Sequence, residues 1–311
     1  MNMKNNRYFL IYAALLMAVS IWGLSFVVTK IALKEFSVYG LILARFGSAS
    51  VIFLIILTLK GFPKFTKTEH GSLILIAIFQ PGLYFFFETM GLQNTTASKA
   101  GLIVAMIPIV VLLLSAIFFR EKITSRSVTG IGLSLVGVGL LIIGEANGSW
   151  PMGGNIIGDL YMCGAVLSAA IYMIMVKKLS QKHSVLHITG MQIIYGTLIF
   201  IPFCLIKIET WQLSQLSFGA IAAVFFLAVL ATIVAFFCYN FALSQIDSSK
   251  AVVFINMIPV ITAASAWIII GESLTIMQMG GGALVLLAVW LVNQKKRQAV
   301  NELPPTIIKA S

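Results

Sequence analysis

Ser98-Lys99-Ala100, followed by Met106-Ile107-Pro108, Glu121 and Gly130, decides the fold of this chain, because the whole set returns. It reappears 151 residues later, without a gap, as Ser249-Lys250-Ala251, Met257-Ile258-Pro259, Glu272 and Gly281. Leu92, Thr124, Leu133, Leu135, Val138 and Leu140 meet identical residues at the same offset. The chain therefore reads as two copies of one unit.

Composition says where those copies reside. Of 311 residues, 59% are hydrophobic and 10% charged, and mean hydropathy is +1.01. Soluble domains carry about 25% charged residues, so most of this surface must face lipid or other apolar helices. Ten apolar runs are each long enough to cross a hydrocarbon core of ~30 Å as helices. They cover 8–29, 37–59, 71–92, 97–118, 127–143, 155–176, 187–206, 217–240, 250–270 and 276–293. Short connections make consecutive spans antiparallel neighbours. The predicted architecture is all-α and polytopic, with a first repeat at 8–143, a second at 155–293 and a polar tail at 294–311. That tail carries Pro304-Pro305 and reads as disordered. Lys4 and Arg7 before an apolar run resemble a secretory signal with Ala18-Val19-Ser20 as its cleavage site. The run continues to Thr29, long enough to span, and forms the first element of the repeat, which argues against cleavage.

The net charge of +11 sits between the apolar runs, so it suggests loops against an anionic membrane face rather than nucleic acid. With the N-terminus inside, sixteen Lys and Arg fall in inner segments and four (Lys30, Lys34, Lys99 and Lys207) in outer ones. Arg45 alone lies within a span. This bias predicts that both termini are cytoplasmic. Five spans per copy is an odd number, so the second copy enters from the opposite side as an inverted repeat. Such repeats typify transporters that alternate access about a central site, although some channels share them.

Polar groups inside spans mark candidate sites, because they are costly there. Gln80, Tyr84 and Glu88 recur at i, i+4 and i+8, one helical face. That stripe reads either as a substrate-path wall with Glu88 as a cation or proton site, or as a polar seam between helices. Arg45 and Glu88 both lie in the outer half of the bilayer on successive spans, so they can pair. A paired Glu88 would keep its charge and carry protons poorly; a solitary one would take protons up readily. Arg45 aligns with Gln192 and Glu88 with Tyr239, so charge sits in one repeat only. Pro108 and Pro259 fall mid-span at equivalent positions and predict kinks, for gating or for packing. Asn256 precedes Pro259, where the first copy has Ala105. Trp22 lies near the middle of span 1 beside Ser20, Gly23 and Ser25, away from the interfacial belts where Trp collects. Span 8 adds Thr232, Tyr239 and Asn240. Glu121 and Glu272 read as structural, satisfying helix ends or turns. Gly130, Gly132, Gly137, Gly139 and Gly280-Gly281-Gly282 read as close helix packing or an oligomer contact.

Cys163, Cys204 and Cys238 lie in apolar runs, His70, His183 and His187 lie in or near loops, and no metal spacing occurs. No Walker motif, HExxH or G-x-S-x-G is present. These features argue against an ATP-driven pump and against an intramembrane enzyme, and no cofactor is expected.

Trp22-Gly23 with Ser25-Phe26 and Lys30, Arg45 in span 2, and the duplicated Ser-Lys-Ala, Ile-Pro, Glu and Gly set resemble the EamA family of the drug/metabolite transporter superfamily. The resemblance covers about residues 8–293. It implies an inner-membrane carrier with a cavity walled by spans 1, 3, 4, 6, 8 and 9, moving amino acids, metabolites or toxic compounds, commonly outward. By position it implies that Trp22, Ser25, Tyr84, Glu88, Tyr239 and Asn256 face that cavity. The expected partners are a small-molecule substrate, the bilayer and, for coupling, protons. The alternatives are an uncoupled facilitator and a non-transporting scaffold or sensor. A transporter would place Glu88 and Asn256 on a solvent-connected wall, whereas a scaffold would seal them with side-chain partners.

Overall fold

Hydrogen-bond economy in an apolar medium leaves helices as the spanning element for such runs, and the regular elements among the described residues are all helical. The computed structural model describes residues 3–119, 125–144, 155–179, 183–206, 216–243, 254–255 and 257–293. Among the described residues thirteen α-helices follow one another: α1 (Met3–Ala32), α2 (Val38–Lys60), α3 (Lys67–Ala77), α4 (Tyr84–Asn94), α5 (Ala97–Val104), α6 (Ile107–Phe119), α7 (Ser125–Ile143), α8 (Asn155–Leu179), α9 (Val185–Ile206), α10 (Phe218–Phe225), α11 (Ala235–Leu243), α12 (Ile258–Ile270) and α13 (Ile276–Asn293). Among the described residues seven helical stretches are long and apolar enough to cross a membrane, and three shorter apolar ones fall at the fifth, ninth and tenth expected positions.

Local sequence explains the starts and stops. Ser37, Thr96 and Ser217 each accept a backbone N–H three residues on, from Gly40, Lys99 and Ala220, the N-cap device that satisfies an orphan donor. Thr66 and Glu69 close a reciprocal capping box on α3. Gly271 ends α12 at φ +69°, a left-handed cap that a side chain would strain.

Two long stretches are wound differently from the continuous helices that the sequence predicts. A π-helical segment, Ile78–Leu83, joins α3 to α4, and another, Phe226–Val234, joins α10 to α11. Adding the repeat offset of 151 to 78–83 gives 229–234, inside the second segment. The irregularity therefore recurs at equivalent positions of the two copies. Within the first segment Gln80 has φ −147° and ψ 117° and precedes Pro81. The predicted face shared by Gln80, Tyr84 and Glu88 is thus broken at Gln80, because its backbone is not helical. The prolines also differ from expectation. Pro108 lies in the first turn of α6, after a turn at Ala105 and Met106, and Pro259 in the first turn of α12. Each begins a helix, where its missing N–H has no partner to lose, rather than kinking one.

Packing pairs α1 with α11 and α12, α2 with α9, α4 with α8, α5 with α12, and α7 with α13. A central core including Phe26, Phe46, Phe85, Ile103 and Met162 runs through these contacts. The rim is apolar as well: Phe118, Phe218, Trp267 and Ile276 are exposed, as lipid-facing positions would be. The glycine-rich helices meet closely at one point. A Cβ on Gly137 would lie 2.7 Å from the Gly281 carbonyl oxygen, and one on Gly281 would lie 2.6 Å from that of Gly137. Gly132, Gly139 and Gly280 have open space instead, so the packing reading holds for part of that set.

Candidate functional site

α2 carries Arg45 into the interior, and α4 brings Tyr84, Phe85, Glu88 and Thr89 against it. Arg45 and Glu88 are only 5% and 4% exposed. Their charged atoms, Nη1 and Oε2, lie 3.9 Å apart, an ion pair without a hydrogen bond. Arg45 Nε donates to Thr232 Oγ1 at 3.1 Å. That hydroxyl in turn donates to the Leu227 carbonyl at 2.8 Å, within the second π segment. The guanidinium carbon sits 4.3 Å from the Phe85 ring centre and 5.3 Å from that of Phe46, so two aromatic faces supply part of what water would. Tyr84 OH donates to Glu88 Oε1 at 3.2 Å, the i, i+4 contact its spacing predicts. Glu88 Oε2 has no hydrogen-bond partner.

A buried ion pair is weak evidence of stabilisation, because desolvation offsets much of the attraction. An ionisable pair inside a span is first a functional-site hypothesis. A crevice too narrow to admit a water molecule lies beside it, bordered by Thr29, Arg45, Phe46, Phe85, Thr89 and Leu227. Glu88 does not border this crevice: Tyr84 and Arg45 cover it. In this conformation the solvent-connected wall expected for Glu88 is replaced by a sealed position, because the Tyr84 hydroxyl and the guanidinium occupy the approaches to its carboxylate.

Trp22 forms a second aromatic group. Its Nε1 donates to the Ala231 carbonyl at 3.1 Å, and its ring lies 5.2 Å from both Phe236 and Tyr239. Ser25 Oγ donates to the Trp22 carbonyl at 2.7 Å. Tyr239 is half-buried, Gln80 is buried, and Gln192 Nε2 donates to the Gln80 carbonyl at 2.6 Å. Glu121, Asn256 and the side chain of Asn240 lie outside the described residues.

Two charged residues escape sequence reasoning. Lys99, counted above as an outer loop base, is fully buried, and its Nζ lies 2.7 Å from Asp159 Oδ2 on α8. Asp159 falls five residues into α8, a position that reads from sequence as a span edge. The apolar residues around Ser98-Lys99-Ala100 were the available signal for Lys99. Nothing in one sequence pairs it with a residue sixty positions on. Among the described residues no three His, Cys, Asp or Glu side chains converge as a metal site.

The sequence profile of the EamA-like transporter family matches residues 9–143 and again 156–294. The chain belongs to this family. Relatives agree along nearly their whole lengths. An uncharacterized transporter of Archaeoglobus fulgidus is 28% identical over 92% of this chain and 99% of its own. The uncharacterized transporter YetK of Bacillus subtilis is 27% identical over 92% and 88%. A probable terminal-alkyne amino-acid exporter of Streptantibioticus cattleyicolor is 20% identical over 91% and 93%. A solved crystal structure superposes with a TM-score of 0.65 at 14% identity, covering 93% of this chain and 98% of that one. At that identity the likeness concerns the fold alone. Members of the family are membrane transporters, not enzymes.

Proposed function

We propose that this transporter is a secondary exporter of small metabolites such as amino acids or amphipathic drugs. It crosses the cell membrane ten times as two inverted five-span repeats, with both termini cytoplasmic, and alternates access about the Arg45–Glu88 region. The observation that carries the reading is the loose pair itself, a guanidinium and a carboxylate in the interior whose facing atoms stand 3.9 Å apart with Glu88 Oε2 unbonded. Such a pair can exchange its internal contact for the charges of a substrate, or for a proton on Glu88. The aromatic walls from Phe46, Phe85 and Trp22 favour substrates with an apolar part. The amino-acid exporter among the relatives supports the substrate class.

Uncoupled facilitation is the second reading. Arg45 already provides Glu88 with a counter-charge, so no proton is required to neutralise it. Proteoliposomes loaded with labelled amino acids or cationic drugs, with and without a pH gradient, separate the readings. Flux driven by the gradient and lost in Glu88→Gln supports coupling. Flux indifferent to both supports the facilitator, and no flux for any compound returns the chain to a scaffold.

A further inference from the structure

A second polar cluster lies away from the Arg45 site, at the end of the bundle where α1 finishes. Glu272, just beyond α12, is its hub. Its Oε1 lies 3.1 Å from Lys30 Nζ and accepts the Ala97 N–H at 3.1 Å, and its Oε2 accepts the Ser98 N–H at 3.2 Å. Lys30 also donates to the Thr95 carbonyl. Beneath this rim, Asp159 accepts from Thr95 Oγ1 at 2.9 Å and pairs with Lys99 at 2.7 Å. The two layers differ in solvation. The Lys30 and Glu272 side chains are 30% and 12% exposed, those of Lys99 and Asp159 0% and 1%.

Most of these contacts share one property. Lys30, Thr95, Ala97, Ser98 and Lys99 belong to the segment 9–143, whereas Asp159 and Glu272 belong to 156–294. Thus each of these named bonds to a carboxylate crosses between the two halves. Glu272 also completes a helix end. The first two N–H groups of α5 point at its carboxylate, and the third bonds Thr96. A carboxylate at a helix N-terminus gains from both the orphan donors and the helix dipole. Parting the halves would expose these donors together and break the buried Lys99–Asp159 contact, a costly loss inside the bundle. Charge-assisted bonds lost as a set make a two-state element rather than a gradual one.

From this we infer that Glu272 and Asp159 form a two-layer latch that holds the halves shut at this end, and that access from this face requires Lys30–Glu272 and then Lys99–Asp159 to open. The latch rests on the alternating-access reading, but its test needs no substrate and can therefore fail independently of the transport assignment. Thr29, which borders the crevice one residue inward of Lys30, is replaced by Cys in a full-length chain whose Cys163, Cys204 and Cys238 are Ala. Labelling by a membrane-impermeant maleimide is followed from each face of sealed vesicles. Lys30→Gln, a mild change at a partly exposed site, and Glu272→Gln should each speed labelling from the latch face roughly tenfold, the shift expected for losing a charge-assisted bond. Asp159→Asn should do so more strongly if it folds. Unchanged labelling in Lys30→Gln and Glu272→Gln, or equal acceleration from both faces, overturns the latch and leaves a purely structural contact.

Discussion

At the residue scale, the Arg45–Glu88 pair sets a testable asymmetry. Either charge without the other is buried alone, so Arg45→Met or Glu88→Leu should each destabilise by about 3–5 kcal/mol. The double variant, which leaves an apolar contact between α2 and α4, should recover much of that loss. Unfolding of the purified transporter in detergent measures all three. Equal losses in single and double variants would show that the two side chains act apart. The i, i+4 spacing of Tyr84 and Glu88 made their contact legible beforehand, because helix geometry alone decides it. The shared half-depth of Arg45 and Glu88 made their pairing admissible but no more. Thr232 as the anchor of Arg45 Nε was not legible, since it depends on which helix arrives from the second copy. Periodicity tells which side of a helix is apolar, not which helix it meets. Lys99 shows the same limit more sharply: hydropathy cannot distinguish a base that caps a span from one neutralised inside it.

At the element scale, the close approach of α7 and α13 depends on two glycines. Gly137→Ala and Gly281→Ala each push a methyl group into a backbone carbonyl and should cost about 1–3 kcal/mol, as overpacked contacts do. Gly280→Ala, in open space, should be neutral or slightly stabilising through helix propensity. Thermal midpoints of the three variants check this, and a loss in Gly280→Ala as large as the other two would remove the backbone contact as the cause. The start of α10 gives a pH-dependent case. Ser217 donates its hydroxyl to Glu35 Oε1 at 2.6 Å and its N–H to Oε2 at 2.7 Å. Hydrogen bonds from the Ser217 side chain first, and its backbone second, hold the Glu35 carboxyl below its ordinary value of 4.5. A lowered folded-state value means that this contribution is complete above the ordinary one and fades as pH falls through the lowered one. The stability gap between the wild type and Glu35→Gln should therefore be full at pH 7 and close in acid. A gap that persists below the carboxylate range would show that shape, not charge, makes the contact. Helix starts of this kind were legible from Ser and Thr before apolar runs. The breaks in spans 3 and 4 were only half legible: Pro81 and Pro108 are plain in the sequence, but a proline alone does not say whether the helix bends, rewinds or restarts.

At the scale of the whole molecule, the proposed orientation makes both termini cytoplasmic. Tags at the two ends should be protected from protease in right-side-out vesicles and cleaved in inside-out ones; opposite protection of the two tags would remove the even number of crossings. The duplicated Ser-Lys-Ala set was visible from the first reading, yet the structure gives it a use that neither copy has by itself. Ala97 and Ser98 of one half are completed by Glu272 of the other, so the matching residues mark where the halves join as well as where they agree. The paired π segments carry a further consequence. Around them the acceptors are main-chain carbonyls: Ala231 receives Trp22, Leu227 receives Thr232, and Gln80 receives Gln192. A carbonyl survives any change of its own side chain. A mutational scan across Ala231, Leu227 or Gln80 would therefore report only the packing of those side chains and pass over the polar role of the backbone. That role would surface at the donors, through Trp22→Phe and Gln192→Leu, in parts of the chain that look unrelated to the segments they serve.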